Sequence, residues 1–224
     1  LSDLDLGMNI WMADPFPYPE KPMDRGKVLS AEDLERLGDF ARYRDVDGDG
    51  IAYRTLPGTY HHLAAYFARG SGHNEYAAYS ERPEDYTKNI DRLTRKLDTA
   101  RKSVPPPVVE GDESAEVGII AYGSSHWALT ESRDQLEAEG GLETRYFRIR
   151  ALPFSGELAA FIRSCKRVYV VEQNRDAQMK QLITLELADE PEQIGKLESV
   201  LHYTGLPIDA RSITDEILAL EKSR

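Results

Sequence analysis

The sequence has a single cysteine, Cys165. No disulfide framework can close within the chain, and no multi-cysteine zinc or iron–sulfur site can be built from it. Cys165 stands in Phe-Ile-Arg-Ser-Cys-Lys-Arg, where an amphipathic segment ends, and reads as a small buried hydrophobe. Long apolar runs are also missing. The longest, Val117–Tyr122 and Val168–Val171, fall far short of the roughly 20 residues of a membrane span. No signal peptide is visible, and the expectation is a cytoplasmic protein with no membrane partner. Basic charge is in deficit. Against 39 Asp and Glu there are 28 Lys and Arg, a net charge of −11, so the basic stripe of a nucleic-acid binder is excluded. Neither Gly-x-Gly-x-x-Gly nor Gly-x-Ser-x-Gly occurs, which removes the dinucleotide fingerprint and the nucleophile elbow.

What is present is enough for a substantial core. The 224 residues are 41% hydrophobic, room for one large domain or two small ones. Residues 104–116, Val-Pro-Pro-Pro-Val-Val-Glu-Gly-Asp-Glu-Ser-Ala-Glu, read as an exposed linker, because three successive prolines fit neither a helix interior nor a central strand. Beyond it, residues 117–224 alternate strand and helix. Strands are expected at Val117–Tyr122, Glu143–Ile149, Arg167–Glu172 and Leu197–His202. Helices are expected at Ser125–Glu139, around Leu158–Ile162, at Ala177–Leu187 and at Ser212–Glu221. This alternation predicts an α/β fold with a parallel sheet covered on both faces.

Residues 1–103 are less regular. The start, Leu-Ser-Asp-Leu-Asp-Leu-Gly-Met-Asn without an initiator methionine, reads as the tail of a strand already under way, and the chain as a piece of a longer subunit. Ala31–Asp45, behind Ser30 as N-cap, and Asp85–Lys102, with Ile90, Leu93 and Leu97 on one face, are expected helices. Residues 45–82 between them carry Gly, Pro, His and Tyr with little periodicity, and loops of such length tend to be functional.

Asp45-Val46-Asp47-Gly48-Asp49-Gly50 imitates the first half of a calcium loop, but the twelfth position is Leu56 rather than a bidentate Glu. A tight acidic turn, with or without an ion, is the reading, and no metal site is assigned. His61-His62 are adjacent and would not share a helix face. Arg54, Thr55, Arg69, His73 and Asn74 cluster with the glycines of this region, where an arginine suits a carboxylate or phosphate. Ser124 and Ser125 follow a buried strand and open a helix, a place for an anion or for a plain turn. Glu172 and Asn174 end another parallel strand, where such sheets take ligands, or else cap the next helix.

The order and spacing of Asp3–Asn9, Tyr43–Ile51, Tyr53–Gly58 and Arg69–Glu75, with Val171-Glu172-Gln173-Asn174 and Gln178, resemble the alpha subunits of 2-oxoacid:ferredoxin oxidoreductases of the 2-oxoglutarate type. The resemblance covers nearly the whole chain. It implies that residues 117–224 form a transketolase C-terminal-like domain. Residues 1–103 would then be the end of a thiamine-diphosphate pyrimidine-binding domain with a long irregular extension, most of that domain preceding Leu1. The implied activity is oxidative decarboxylation of a 2-oxoacid to acyl-CoA and CO2, with electrons passed to ferredoxin. Thiamine diphosphate, magnesium and an iron–sulfur cluster would belong to the assembled complex, the cluster on a partner chain and none bound by this chain alone. A beta subunit, ferredoxin and coenzyme A are the implied partners in a hetero-oligomer, and the isolated chain is expected to be inactive. The resemblance places Asp47, Asp49, Arg54, Thr55, Arg69, His73 and Asn74 on a loop near the substrate. Ser124, Ser125, Glu172 and Asn174 are left as anion, coenzyme A or interface candidates. No catalytic acid or base is assigned, because the family's activating glutamate lies outside these residues. A non-catalytic α/β interaction subunit and a pyruvate-type or other thiamine enzyme component are the alternatives.

Overall fold

The structure is a computed structural model that describes every residue except 1, 2, 9, 11, 13, 14, 16 and 68–71, and every side chain of the rest except that of Leu4. The chain divides into two compact units, one of residues 1–12 with 104–224, the other of residues 13–103.

The first unit is built on a five-stranded sheet of β1 (Val108–Glu110), β2 (Val117–Tyr122), β3 (Thr144–Ile149), β4 (Arg167–Glu172) and β5 (Leu197–Leu201), in the order β1-β3-β2-β4-β5. Four strands run parallel, as their near-continuous apolar runs require when both faces are covered. Helices α4 (Ser125–Gly140), α5 (Gly156–Ser164), α6 (Gln178–Glu186), α7 (Pro191–Ile194) and α8 (Ala210–Lys222) connect and follow them.

Strand alternation sorts the core into two layers. Ile119, Tyr169 and Val171 face Leu129 and Leu136 of α4 and Ile213 and Ile217 of α8. Ile120, Val168 and Val170 face Leu158 and Ile162 of α5 and Met179 and Ile183 of α6. Each such aliphatic side chain contributes roughly 1.5–3 kcal/mol by leaving water. Gly118 lets α5 approach, since a Cβ there would lie 2.8 Å from both Cys165 Sγ and the Phe161 ring. Cys165 is buried, as its sequence context suggests, and burial pushes its thiol pKa up.

Two expectations fail at the ends of this unit. The segment read as a linker contributes β1, which pairs antiparallel with β3, Val108 opposite Arg148. Its prolines precede the ladder, and Val108-Val109 then behave as an edge strand, where missing N–H donors nearby are tolerated. Residues 4–8, read as a strand tail, form the short helix α1 (Leu4–Met8). Asp3 starts it by accepting the Leu6 N–H at 2.9 Å.

The second unit contains α2 (Ala31–Leu37) and α3 (Pro83–Ala100), joined by a long irregular segment. α2 opens with a capping box between Ser30 and Asp33 and ends sooner than expected. Gly38 at φ 65° turns the chain into a left-handed cap, with its N–H on the Leu34 carbonyl. α3 starts on a proline at its first turn. It is inverted relative to an ordinary surface helix: Arg92 is its buried residue, whereas Tyr86, Ile90, Leu93 and Leu97 are exposed. The irregular segment is tied down by long-range polar contacts rather than by a large apolar core.

Candidate functional site

In the first unit the chain leaves β2 to one side, through α4 to β3, and reaches β4 on the other side through α5. The carboxyl ends of β2 and β4 therefore flank the point where strand order reverses, the place where open α/β sheets take ligands. Here it is closed by the protein's own groups. Gln173 reaches across from β4 and donates to Ser124 Oγ at 2.8 Å and Ser125 Oγ at 3.2 Å, while its carbonyl accepts the Ile208 N–H at 3.4 Å. At the start of α4 the Asp3 carboxylate accepts the Ser124 N–H at 2.5 Å. A Cβ on Gly123, which has φ 64°, would fall 2.0 Å from that carboxylate, so glycine is required for the approach. Burial pulls the Asp3 pKa upward, but hydrogen bonds from Leu6 and Ser124 together hold it below the ordinary carboxylate range.

The start of α6 is closed in the same manner. Glu172 is fully buried. It accepts the N–H groups of Met179 at 2.8 Å and Lys180 at 3.1 Å, and the Asn174 amide at 2.8 Å. Asn174 in turn accepts the Asp176 and Gln178 N–H groups at 3.1 and 3.2 Å. Of the two roles open to Glu172 and Asn174, these contacts are those of helix caps. Both helix N-termini at this corner carry an internal carboxylate where an external anion would otherwise sit. A groove of about 350 Å³ beside Ser124, lined also by Asp5, Met8, Pro207 and Ile208, remains open. Gln173 is the residue that sequence reasoning left out of the site; its place directly after Glu172 was the available signal.

In the second unit the acidic loop is neutralised by a lysine. Lys27 Nζ lies 2.6 Å from Asp47 Oδ2, 2.8 and 2.7 Å from the two Asp49 oxygens, and 3.1 Å from the Ile51 carbonyl. Partial burial lowers the Lys27 pKa, but its bonds to Asp47 and Asp49 outweigh this and raise it. The Lys27 bond, then the Ile51 N–H, depresses Asp49. Asp45 is engaged elsewhere, accepting the Gly48 N–H at 3.0 Å and pairing with Arg95 at 3.0 Å. The three carboxylates that imitate a calcium loop are thus spent on an ammonium, a guanidinium and the backbone. Among the described residues no group of three or more His, Cys, Asp or Glu is placed to hold a metal. The loop packs on α3 through Gly50, whose carbonyl accepts from Arg92 at 3.1 Å, and through the Asp49 carbonyl, which accepts from Thr99 at 2.7 Å.

The remaining loop residues are spread around this scaffold. Arg54 is attached through one guanidinium nitrogen to the Arg25 carbonyl at 2.7 Å. Thr55 is buried and donates to the Ala64 carbonyl at 2.8 Å, beside a groove of about 470 Å³ lined by Leu56, Pro57, His61 and Tyr66. His61 meets Glu35 at 3.0 Å rather than joining His62 in a metal site. His73 stacks on Tyr43 with ring centroids 4.1 Å apart, and Asn74 Oδ1 accepts the Tyr76 and Ala78 N–H groups. Arg69 lies outside the described residues.

The fold and its corner define a mixed α/β protein with a mostly parallel sheet. The comparisons carry the description further. The chain is similar to the 2-oxoacid:ferredoxin oxidoreductase 2 alpha subunit of Aeropyrum pernix, 28% identical over 84% of this chain and 28% of that one. It is also similar to the alpha subunit of the Saccharolobus solfataricus 2-oxoacid:ferredoxin oxidoreductase, 26% identical over 88% of this chain and 30% of that one. The relatives are subunits of an oxidoreductase complex, and the chain spans less than a third of their length. Among solved structures, it matches the 2-oxoglutarate:ferredoxin oxidoreductase of Magnetococcus marinus, solved with 2-oxoglutarate, coenzyme A and succinyl-CoA bound. The TM-score is 0.66 at 27% identity, over 80% of this chain and 30% of that one. No family model matches the sequence.

Proposed function

We propose that the chain is part of the alpha subunit of a thiamine-diphosphate-dependent 2-oxoacid:ferredoxin oxidoreductase that converts 2-oxoglutarate, coenzyme A and oxidised ferredoxin to succinyl-CoA, CO2 and reduced ferredoxin. The observation that carries this reading is the structural match, at 27% identity, to an enzyme holding 2-oxoglutarate, coenzyme A and succinyl-CoA. The inverted α3 supports a place in a hetero-oligomer with a beta subunit. A helix that turns Tyr86, Ile90, Leu93 and Leu97 outward offers an apolar stripe of the kind that marks a protein contact. No helix among the described residues is long and apolar enough to cross a membrane.

The single cysteine is buried, and no set of metal ligands is assembled among the described residues. Magnesium, the diphosphate and the cluster are assigned to other parts of the complex, and no chemical step is placed on this chain. Its contribution is positional. Arg54, with Thr55, His73 and Asn74 holding the surrounding loops, is the group offered to the distal carboxylate of the dicarboxylic substrate. Asp47 and Asp49 act through Lys27 to fix the loop that carries it. The groove beside Ser124 is the part of the first unit offered to coenzyme A or to the partner subunit.

The test is reconstitution of the full-length alpha subunit with its beta subunit. Coenzyme-A-dependent viologen reduction is expected with 2-oxoglutarate and not with pyruvate. A preference for pyruvate would move the protein to the pyruvate-type class, and a stable complex without turnover on either would leave an interaction subunit.

A further inference from the structure

The second unit encloses a cavity of about 240 Å³ between α3 and the irregular segment, with Tyr43, Arg44, Glu75, Lys88, Arg92 and Arg95 in its wall. On the same measure a water needs only about 10–15 Å³, so the space holds a functional group and part of the molecule that carries it. Its charges are unevenly paired. Arg44 pairs with Asp39 and Glu75, Lys88 with Glu75, and Arg95 with Asp45. Asp85, the third carboxylate of the wall, accepts from Ser80.

Arg92 is the exception. The residue is more than nine-tenths buried, and among the described residues its one protein acceptor is the Gly50 carbonyl and its buried Nε has no partner. The Tyr43 ring, 5.7 Å from the guanidinium, compensates the charge only in part. Asp45 attracts it through space, but that carboxylate is bonded to Arg95 and the Gly48 N–H, so the buried guanidinium has no direct ion pair among the described residues, a costly arrangement. Burial first, and then the neighbouring Arg42, depress its pKa against a smaller opposing pull from Asp45 and Tyr43.

We propose that this cavity is a binding site for the phosphate or carboxylate group of a small molecule, with Arg92 as its principal ligand and Arg44, Lys88 and Arg95 as the surrounding positive rim. With Asp39 pairing Arg44 from outside the wall, the charges around the cavity balance, so the pull on a ligand comes from the unfilled hydrogen-bonding capacity of Arg92 rather than from net charge. The site stands on Arg92 and its surroundings and is independent of the reaction proposed above.

The experiment is thermal unfolding of the chain in inorganic phosphate, methyl phosphate or glutarate, each against chloride at matched ionic strength. At least one probe should raise the Tm specifically, because a ligand that binds only the folded state stabilises it. Inorganic phosphate alone points to a free ion, methyl phosphate to a phosphoester, and glutarate to a carboxylate. In Arg92→Leu the probe effect should vanish. Arg92→Lys, which keeps the charge and loses the fork, should bind the effective probe at least about tenfold more weakly by calorimetry, as loss of one charge-assisted bond implies. Arg36→Ala, an exposed cation on α2, should bind as the parent does. The proposal is overturned if no probe exceeds chloride, or if Arg92→Lys binds with parental affinity.

Discussion

Gly48 and Gly50 offer a matched pair of substitutions in one loop. Their φ angles are 78° and 77°, so an alanine at either position meets the same left-handed backbone penalty, about 1–2 kcal/mol. The reduced freedom of the unfolded chain returns about 0.4–1 kcal/mol in both cases. The surroundings differ. A Cβ on Gly48 would meet nothing within 4 Å, whereas one on Gly50 would lie 2.2 Å from Lys96 N and 2.6 Å from Arg92 O. Both are backbone atoms inside α3 and cannot swing aside. Relief requires the loop to lift from the helix, which breaks the Arg92–Gly50 and Thr99–Asp49 hydrogen bonds. At roughly 0.5–1.5 kcal/mol for the neutral bond and 1.5–3 for the charged one, the difference between the variants should be about 2–4 kcal/mol. Gly48→Ala should cost about 1 kcal/mol or less. Urea unfolding followed by far-UV circular dichroism would measure both. Equal losses for the two would mean that the loop does not rest on α3, and the account of the second unit would fail.

Asp3→Asn should free residues 3–8 from the sheet corner, seen as new proteolytic cleavage near Met8. Acid should act likewise in the parent: the Asp3 pKa is depressed by folding, so its contribution is complete above the unfolded value near 4 and fades as pH falls through the lower folded value. Calcium should leave the Tm of the chain where chelator puts it, because Asp47 and Asp49 already hold Lys27; a specific calcium shift would show that the lysine is displaced. In the reconstituted complex, Arg54→Ala should lower kcat/KM for 2-oxoglutarate by one to two orders of magnitude, about the 1.5–3 kcal/mol of a charge-assisted hydrogen bond. Unchanged kinetics would return Arg54 to a purely structural role.

The first unit was legible because its signals are local. Val117–Tyr122 and Arg167–Glu172 are buried on both faces, and their apolar runs coincide with β2 and β4. Gly140-Gly141 stopped α4 where the sequence placed a stop. β1 escaped because the prolines before it dominate the local pattern. In the second unit the determinants join residues far apart in the chain: Lys27 with Asp49, Arg44 with Glu75, Asp45 with Arg95. Such pairs leave no periodic trace. Arg92 reads in sequence as one more polar position on a helix, and its burial depends on the loop that folds over it. The sheet corner was half legible. Ser124, Ser125, Glu172 and Asn174 stood out at strand ends, but the carboxylate that meets Ser124 comes from the opposite end of the chain.

The two carboxylates that close this corner differ in what an engineer could do with them. Glu172 is wired into β4 and cannot be withdrawn without rebuilding the strand. Asp3 instead sits at the start of the short helix α1, outside the sheet. Asp3→Ala would uncover the amide of Ser124 at the head of a sixteen-residue helix, leaving a donor that takes a carboxylate back when acetate is supplied in solution. Titration of that variant with small carboxylates would then report on the corner, which makes the Asp3 side chain a built-in plug that one substitution removes.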